Sequence, residues 1–279
     1  MGRGVRFLII NLMFGCTLMC SSCGHNAGQN EVLDTEVVPS ESSVSEETSA
    51  VKAITGNSTY RGFVVDNILP SETLGDIHYN VYIPDDYDGK EAYALYFTLP
   101  GYQGLYFQGV AQNIKTEEFG FEALKYNDKM IVVAPQLNDW GETSTDQTIE
   151  LVEYFLNNYN IDKTKVYASG YSGGGETMSR VLGKRPDLFC AYLHCSSKWD
   201  GDYDVLVESR TPVYIVIGEA DEYYGSQLSQ EAYENIRSRY ETIGVSEDEI
   251  SEWITLDIKD TAYFENGGVT NQHGGGGML

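Results

Sequence analysis

The chain has 279 residues, of which 42% are hydrophobic, and its 42 Asp and Glu against 18 Lys and Arg give a net charge of −24. That length and apolar share suit one domain of ordinary size with a sizeable core. The charge argues against a nucleic-acid partner, whose phosphates it would repel.

From the N-terminus, Arg3 and Arg6 precede an apolar stretch, Phe7 to Met19, too short to span a bilayer comfortably but right for the apolar core of a secretory signal. Cys16, Cys20 and Cys23 close that stretch, and residues 1–23 resemble a bacterial lipoprotein signal with Cys16 or Cys23 as the lipidated residue; the alternative is a plain secretory signal with incidental cysteines. Residues 24–52 are rich in Ser, Glu and Thr, and Gly24 to Val51 holds no Lys or Arg, so this stretch reads as a disordered acidic tether. The expectation is an exported chain, at the bacterial cell surface or secreted, touching membrane only through an N-terminal lipid. Residues 53–279 form the folded domain.

Within that domain short β-rich runs alternate with helical patterns, which predicts an α/β fold with a mainly parallel sheet. The predicted strands are Gly62–Val65, His78–Ile83, Ala92–Leu99, Met130–Ala134, Lys165–Ser169, Ala191–His194, Pro212–Gly218 and Ser251–Asp257. The predicted helices are Asp146–Tyr159, Gly174–Gly183 and Ser226–Ile243. Cys190 and Cys195 lie five apart on a predicted strand, too far for a mutual disulfide, and read as small buried apolar residues. Functional loops of such sheets gather at the carboxyl ends of the strands, here Leu99–Gly104, Gln136–Gly141, the turn after Ser169, and Glu219–Glu222.

Gly170-Tyr171-Ser172-Gly173-Gly174 stands between a predicted strand and a predicted helix. A serine on that turn is the usual site of an activated nucleophile, with flanking glycines admitting close approach of strand and helix. Serine needs a base, and a carboxylate to orient that base. Of the three histidines in the domain, His78 and His194 lie within strands and suit packing roles, whereas His273 lies in a Gly-rich loop near the C-terminus. Asp221 follows the apolar run Val213 to Gly218 and is the preferred carboxylate, with Glu219 and Glu222 as rivals. No Cys/His spacing suggests a metal, and no cofactor is expected.

The order Ser172, Asp221, His273, with the strand-loop Leu99 to Gly104, resembles the α/β-hydrolases, more narrowly small exported esterases related to prolyl-oligopeptidase-like, feruloyl- and acetyl-esterase enzymes. The resemblance implies an oxyanion hole made by the backbone N–H of Gly173 and that of Tyr102 or Gly101. Many relatives carry His-Gly where this chain has Pro100-Gly101. Relatives also continue past the histidine into a terminal helix, whereas six residues follow His273 here, which predicts a fold without that helix, exposed apolar surface and a loosely held His273. Trp140 and Tyr171 are candidate substrate contacts. The function expected is a carboxylesterase acting on small-molecule or polysaccharide esters; a serine peptidase and a non-catalytic tethered binding protein are the alternatives.

Overall fold

The computed structural model describes residues 52–279. The signal-like segment 1–23, with Cys16 and Cys23, and nearly all of the 24–52 stretch lie outside the described residues.

Period-two apolar patterning builds the sheet. In β4 (Tyr93–Leu99) Leu95, Phe97 and Leu99 face one core and Ala94 the other; in β5 (Met130–Pro135) Ile131 and Val133 oppose Met130, Val132 and Ala134. Strands buried on both faces are those of a helix-covered parallel sheet. Among the described residues nine strands form one sheet. The others are β1 (Ser58–Tyr60), β2 (Phe63–Ser71), β3 (Gly75–Tyr82), β6 (Ile161–Tyr171), β7 (Ala191–Cys195), β8 (Val213–Gly218) and β9 (Ile254–Lys259), in the order β1-β2-β3-β5-β4-β6-β7-β8-β9. β1, β2 and β3 run antiparallel to their neighbours, and β4 to β9 pair in parallel. After β4 the chain moves to one side for β5 and returns to the other side for β6. The carboxyl ends of β4 and β6 therefore flank a topological switch point, where ligands of open α/β sheets bind.

The eight helices of the described residues are α1 (Gln112–Thr116), α2 (Phe119–Leu124), α3 (Glu142–Asn158), α4 (Gly173–Lys184), α5 (Tyr203–Ser209), α6 (Ser226–Thr242), α7 (Glu247–Trp253) and α8 (Thr261–Asn266). One face of the sheet is covered by α3, α4, α5 and α6 through residues such as Phe155, Met178, Leu206 and Ile236. On the other face Ile114 of α1 and Phe121 of α2 pack against β4 and β5, while Phe264 of α8 and Leu279 cover Cys195 and Val216.

Three expectations need correction. Ser251 to Trp253 belong to α7, whose capping box joins Ser246 and Glu249, so β9 begins only at Ile254. Gly62 lies outside the strand, in a turn with φ +92°. Cys195 is buried as expected, but Cys190 is only half-buried, just before β7 begins, and the two do not bond to each other.

Candidate active site

β6 delivers Ser172 to the switch point. Its backbone takes φ 53° and ψ −127°, a strained conformation for a residue with a Cβ, and α4 starts at the next residue. The turn exists because two glycines permit it. A Cβ on Gly174 would stand 2.3 Å from the Leu99 carbonyl oxygen, and one on Gly170 would stand 2.6 Å from that of Gly174. The serine backbone is tied from both sides: its N–H donates to the Cys195 carbonyl at 3.1 Å, and its carbonyl accepts the Ser197 hydroxyl at 2.6 Å.

His273 comes to Ser172 across the carboxyl edge. Its Nε2 lies 3.0 Å from Ser172 Oγ, and its Nδ1 lies 2.9 Å from Asp221 Oδ2. The other Asp221 oxygen, Oδ1, accepts the backbone N–H of Tyr223 at 3.0 Å and of Tyr224 at 2.8 Å. The Asp221 side chain is fully buried. Burial alone would push its carboxyl up, but the hydrogen bonds from His273, Tyr224 and Tyr223 outweigh it and hold the group below the usual aspartate value. An ionised Asp221 keeps the imidazole proton on Nδ1, leaving the Nε2 lone pair facing the serine hydroxyl, which donates to it.

The loop carrying His273 is held firmly, contrary to the expectation of a loose one. The Glu222 carboxylate accepts the backbone N–H of both Gln272 and His273, at 3.0 and 2.9 Å. The Tyr171 hydroxyl donates to the His273 carbonyl at 2.6 Å, and the Tyr171 ring stacks on the imidazole. Tyr223 and Tyr224 pack on the imidazole as well. Glu219, the other rival carboxylate, instead accepts the N–H and hydroxyl of Thr261 at the start of α8.

Two expected site residues have other jobs. The Gly101 N–H already donates to a Glu117 carboxyl oxygen at 2.6 Å and is therefore not available to an oxyanion. Tyr171, expected to contact substrate, packs among His273, Phe119, Gly101 and Gly276 and supports the His273 loop. The N–H groups of Gly173 and Tyr102, by contrast, have no acceptor among the described residues. Gly101 packs so tightly against Ser172 that a Cβ on it would lie 3.3 Å from that of the serine, so the loop after β4 abuts the Ser172 turn. Trp140 covers Gly173: a Cβ there would lie 2.2 Å from the indole. The remaining histidines are accounted for by packing. His194 is buried, with Nδ1 against the Tyr192 hydroxyl at 2.8 Å, and burial lowers it to about 4; His78 is bonded to Asp66 and stacks on Tyr106.

Sequence reasoning missed Glu117 and Ser197, and gave Glu222 the wrong task. Position beside Asp221 was the one signal for Glu222; nothing local marks Glu117. Among the described residues no cluster of His, Cys, Asp or Glu could hold a metal ion, and no helix is long and apolar enough to cross a membrane.

With this geometry in hand, comparison with known proteins is informative. A model of the prolyl oligopeptidase family matches residues 136–243, which include Ser172 and Asp221 but not Tyr102 or His273. Among solved structures, a thermostable esterase superposes with TM-score 0.60 at 19% identity, covering 76% of this chain and 58% of its own. Oligopeptidase B from Leishmania major superposes with TM-score 0.52 at 15% identity, covering 78% and 36%. The fluorophosphonate-binding serine hydrolase F of Staphylococcus aureus gives 0.51 at 14% identity, covering 74% and 94%. The chain has the α/β-hydrolase fold. It spans little more than half the length of the esterase and about a third of the oligopeptidase. No curated protein is significantly similar to it in sequence. Within the α/β-hydrolase fold, Ser172 occupies the turn after a central strand, and Asp221 and His273 approach from loops on the same edge.

Proposed function

We propose that the chain is a serine hydrolase, and more narrowly a carboxylesterase, with Ser172 as nucleophile, His273 as general base and Asp221 as its orienting carboxylate. The observation that carries the reading is the continuous relay from Ser172 Oγ through His273 to Asp221, with both contacts at hydrogen-bond length and the serine on a strained turn.

In the proposed reaction Nε2 of His273 takes the hydroxyl proton while Oγ bonds to the ester carbonyl carbon. The N–H groups of Gly173 and Tyr102 stabilise the resulting oxyanion. His273 gives the proton to the alcohol oxygen as its bond to the acyl carbon breaks, then takes a proton from water, whose oxygen bonds to the acyl carbon; the acyl–Oγ bond breaks as His273 returns that proton to Oγ, which releases the carboxylic acid and regenerates Ser172. Asp221 stays ionised throughout and stabilises the transient imidazolium. Trp140, lying over Gly173, would form one wall beside the acyl group.

A peptidase would use the same groups, and the partial match to the prolyl oligopeptidase family favours it as the second reading. The esterase superposes with the higher TM-score, 0.60 against 0.52 for the oligopeptidase, and over a larger share of its own length, which supports the first. Sugar-linked esters are the proposed substrate class, reached outside the cytoplasm by a chain anchored through Cys16 or Cys23 or released after its signal. The test is hydrolysis of p-nitrophenyl acetate and of short peptide amides by the purified protein and its Ser172→Ala variant. Ester turnover abolished in the variant is expected; equal background rates would leave only a binding role, and Ser172-dependent amide cleavage would transfer the reading to a peptidase.

A further inference from the structure

Glu117 and Glu118 are adjacent in sequence but differ in surroundings, Glu117 being half-buried with its carboxyl turned inward. Glu118 is exposed and pairs with Arg61, whereas one Glu117 carboxyl oxygen accepts the Gly101 N–H at 2.6 Å and no cation stands beside it among the described residues. Burial of the carboxyl dominates over that hydrogen bond and pushes Glu117 up to about 8. The titratable groups close enough to interact with it are Tyr96 on β4, Tyr171 at the end of β6 and Cys195 at the end of β7, each itself pushed up by burial. Gly101 in turn touches Ser172 and Tyr171, and it is bonded to Tyr102, whose N–H has no acceptor among the described residues.

We propose that Glu117 is a positioning residue of the oxyanion loop: its hydrogen bond to the Gly101 N–H fixes the Gly101–Tyr102 peptide so that the Tyr102 N–H faces the reacting carbonyl. Glycine has the freest backbone of any residue, so without this anchor the loop following β4 would rotate its donor away. A neutral carboxyl does this without adding charge. Once ionised, it places a negative charge behind the hole just where a second one develops, and like charges close together away from bulk water repel by enough to slow turnover roughly tenfold. Tyr171 and Tyr224 are held above the ordinary tyrosine range by burial first, so neither competes as the group titrating in that window.

The inference rests on the serine-hydrolase reading. The experiment measures kcat and KM for p-nitrophenyl acetate from neutral to alkaline pH in the wild type, Glu117→Gln and Glu117→Leu, with Ser172→Ala as background and circular dichroism as the check on folding. Glu117→Leu is expected to lose roughly tenfold in kcat with KM nearly unchanged, the signature of a donor that acts in the transition state. Glu117→Gln keeps an oxygen for the Gly101 N–H and cannot ionise. It is expected to retain kcat at neutral pH and to lack the fall expected of the wild type above about pH 8, and a wild-type rate that does not fall there overturns the role. Wild-type kcat in a folded Glu117→Leu, or an unchanged alkaline fall in Glu117→Gln, overturns the role; if the leucine variant does not fold, the glutamine profile alone decides. Wild-type turnover that does not depend on Ser172 overturns the hydrolase reading and this inference together, whereas Ser172-dependent turnover indifferent to Glu117 overturns only the inference.

Discussion

Replacing Asp221 by asparagine isolates the tautomer of His273 from the architecture around it. The two carboxyl oxygens are divided in labour: Oδ1 accepts the N–H groups of Tyr223 and Tyr224, while Oδ2 alone meets His273 Nδ1. An asparagine with its oxygen in the Oδ1 position keeps both backbone bonds and turns an N–H toward the imidazole. Nδ1 must then accept, the proton moves to Nε2, and the nitrogen facing Ser172 can no longer take a proton from it. A relay of this type loses roughly 10⁴ in kcat on such a change, about 5.5 kcal/mol on the barrier. Stability should fall much less, because the lost charge-assisted hydrogen bond of about 1.5–3 kcal/mol is offset in part by no longer burying a charge. Since Asp221 is held below its ordinary value of 3.8, its contribution to stability is present above that value and is lost as pH falls through the folded-state value. The difference in melting temperature between wild type and Asp221→Asn should therefore shrink in strong acid. Ester kinetics at neutral pH together with thermal unfolding read both effects. A folded Asp221→Asn variant within tenfold of wild-type kcat would refute the orienting role of the carboxylate.

Gly174→Ala drives a methyl into the Leu99 and Pro100 carbonyls and should cost about 1–3 kcal/mol and most of the activity, whereas Gly277→Ala, with open space at its Cβ, should change neither by thermal melt nor by rate. Tyr171→Phe removes the hydroxyl that holds the His273 carbonyl, worth about 0.5–1.5 kcal/mol, so kcat should fall roughly two- to tenfold with little change in secondary structure by circular dichroism. Glu117, raised from 4.5 to about 8, favours the folded state fully below pH 4.5 and progressively less as pH rises toward about 8. Melting temperatures of Glu117→Gln should accordingly decline less than those of the wild type across that window.

Much of this arrangement was legible in the residues. Ser172 was marked by its glycines, and Asp221 by its place after an apolar run. His273 was picked out by exclusion of histidines that lie in strands, and the three side chains meet at hydrogen-bond distance. The sheet showed through because its central strands are apolar on both faces. What stayed hidden depended on partners distant in sequence. Nothing in Thr116-Glu117-Glu118-Phe119 says which glutamate turns inward, because the difference is made by Gly101 on one side and Arg61 on the other. Tyr171 gave the same difficulty: an aromatic next to the nucleophile suggests substrate, and only the fold reveals that its hydroxyl meets a carbonyl 102 positions away. The α7 error was of another kind, since the Ser246 and Glu249 capping signal was present in the sequence and the strand was nonetheless started at Ser251.

The bond from the Tyr171 hydroxyl to the backbone of His273 joins the residue preceding the proposed nucleophile to its proposed base. This bond ties the end of β6 to the loop that carries the imidazole, one of the contacts that set the spacing between oxygen and nitrogen. The spacing between serine and imidazole thus depends on β6 itself as well as on the Glu222 segment that holds the same loop.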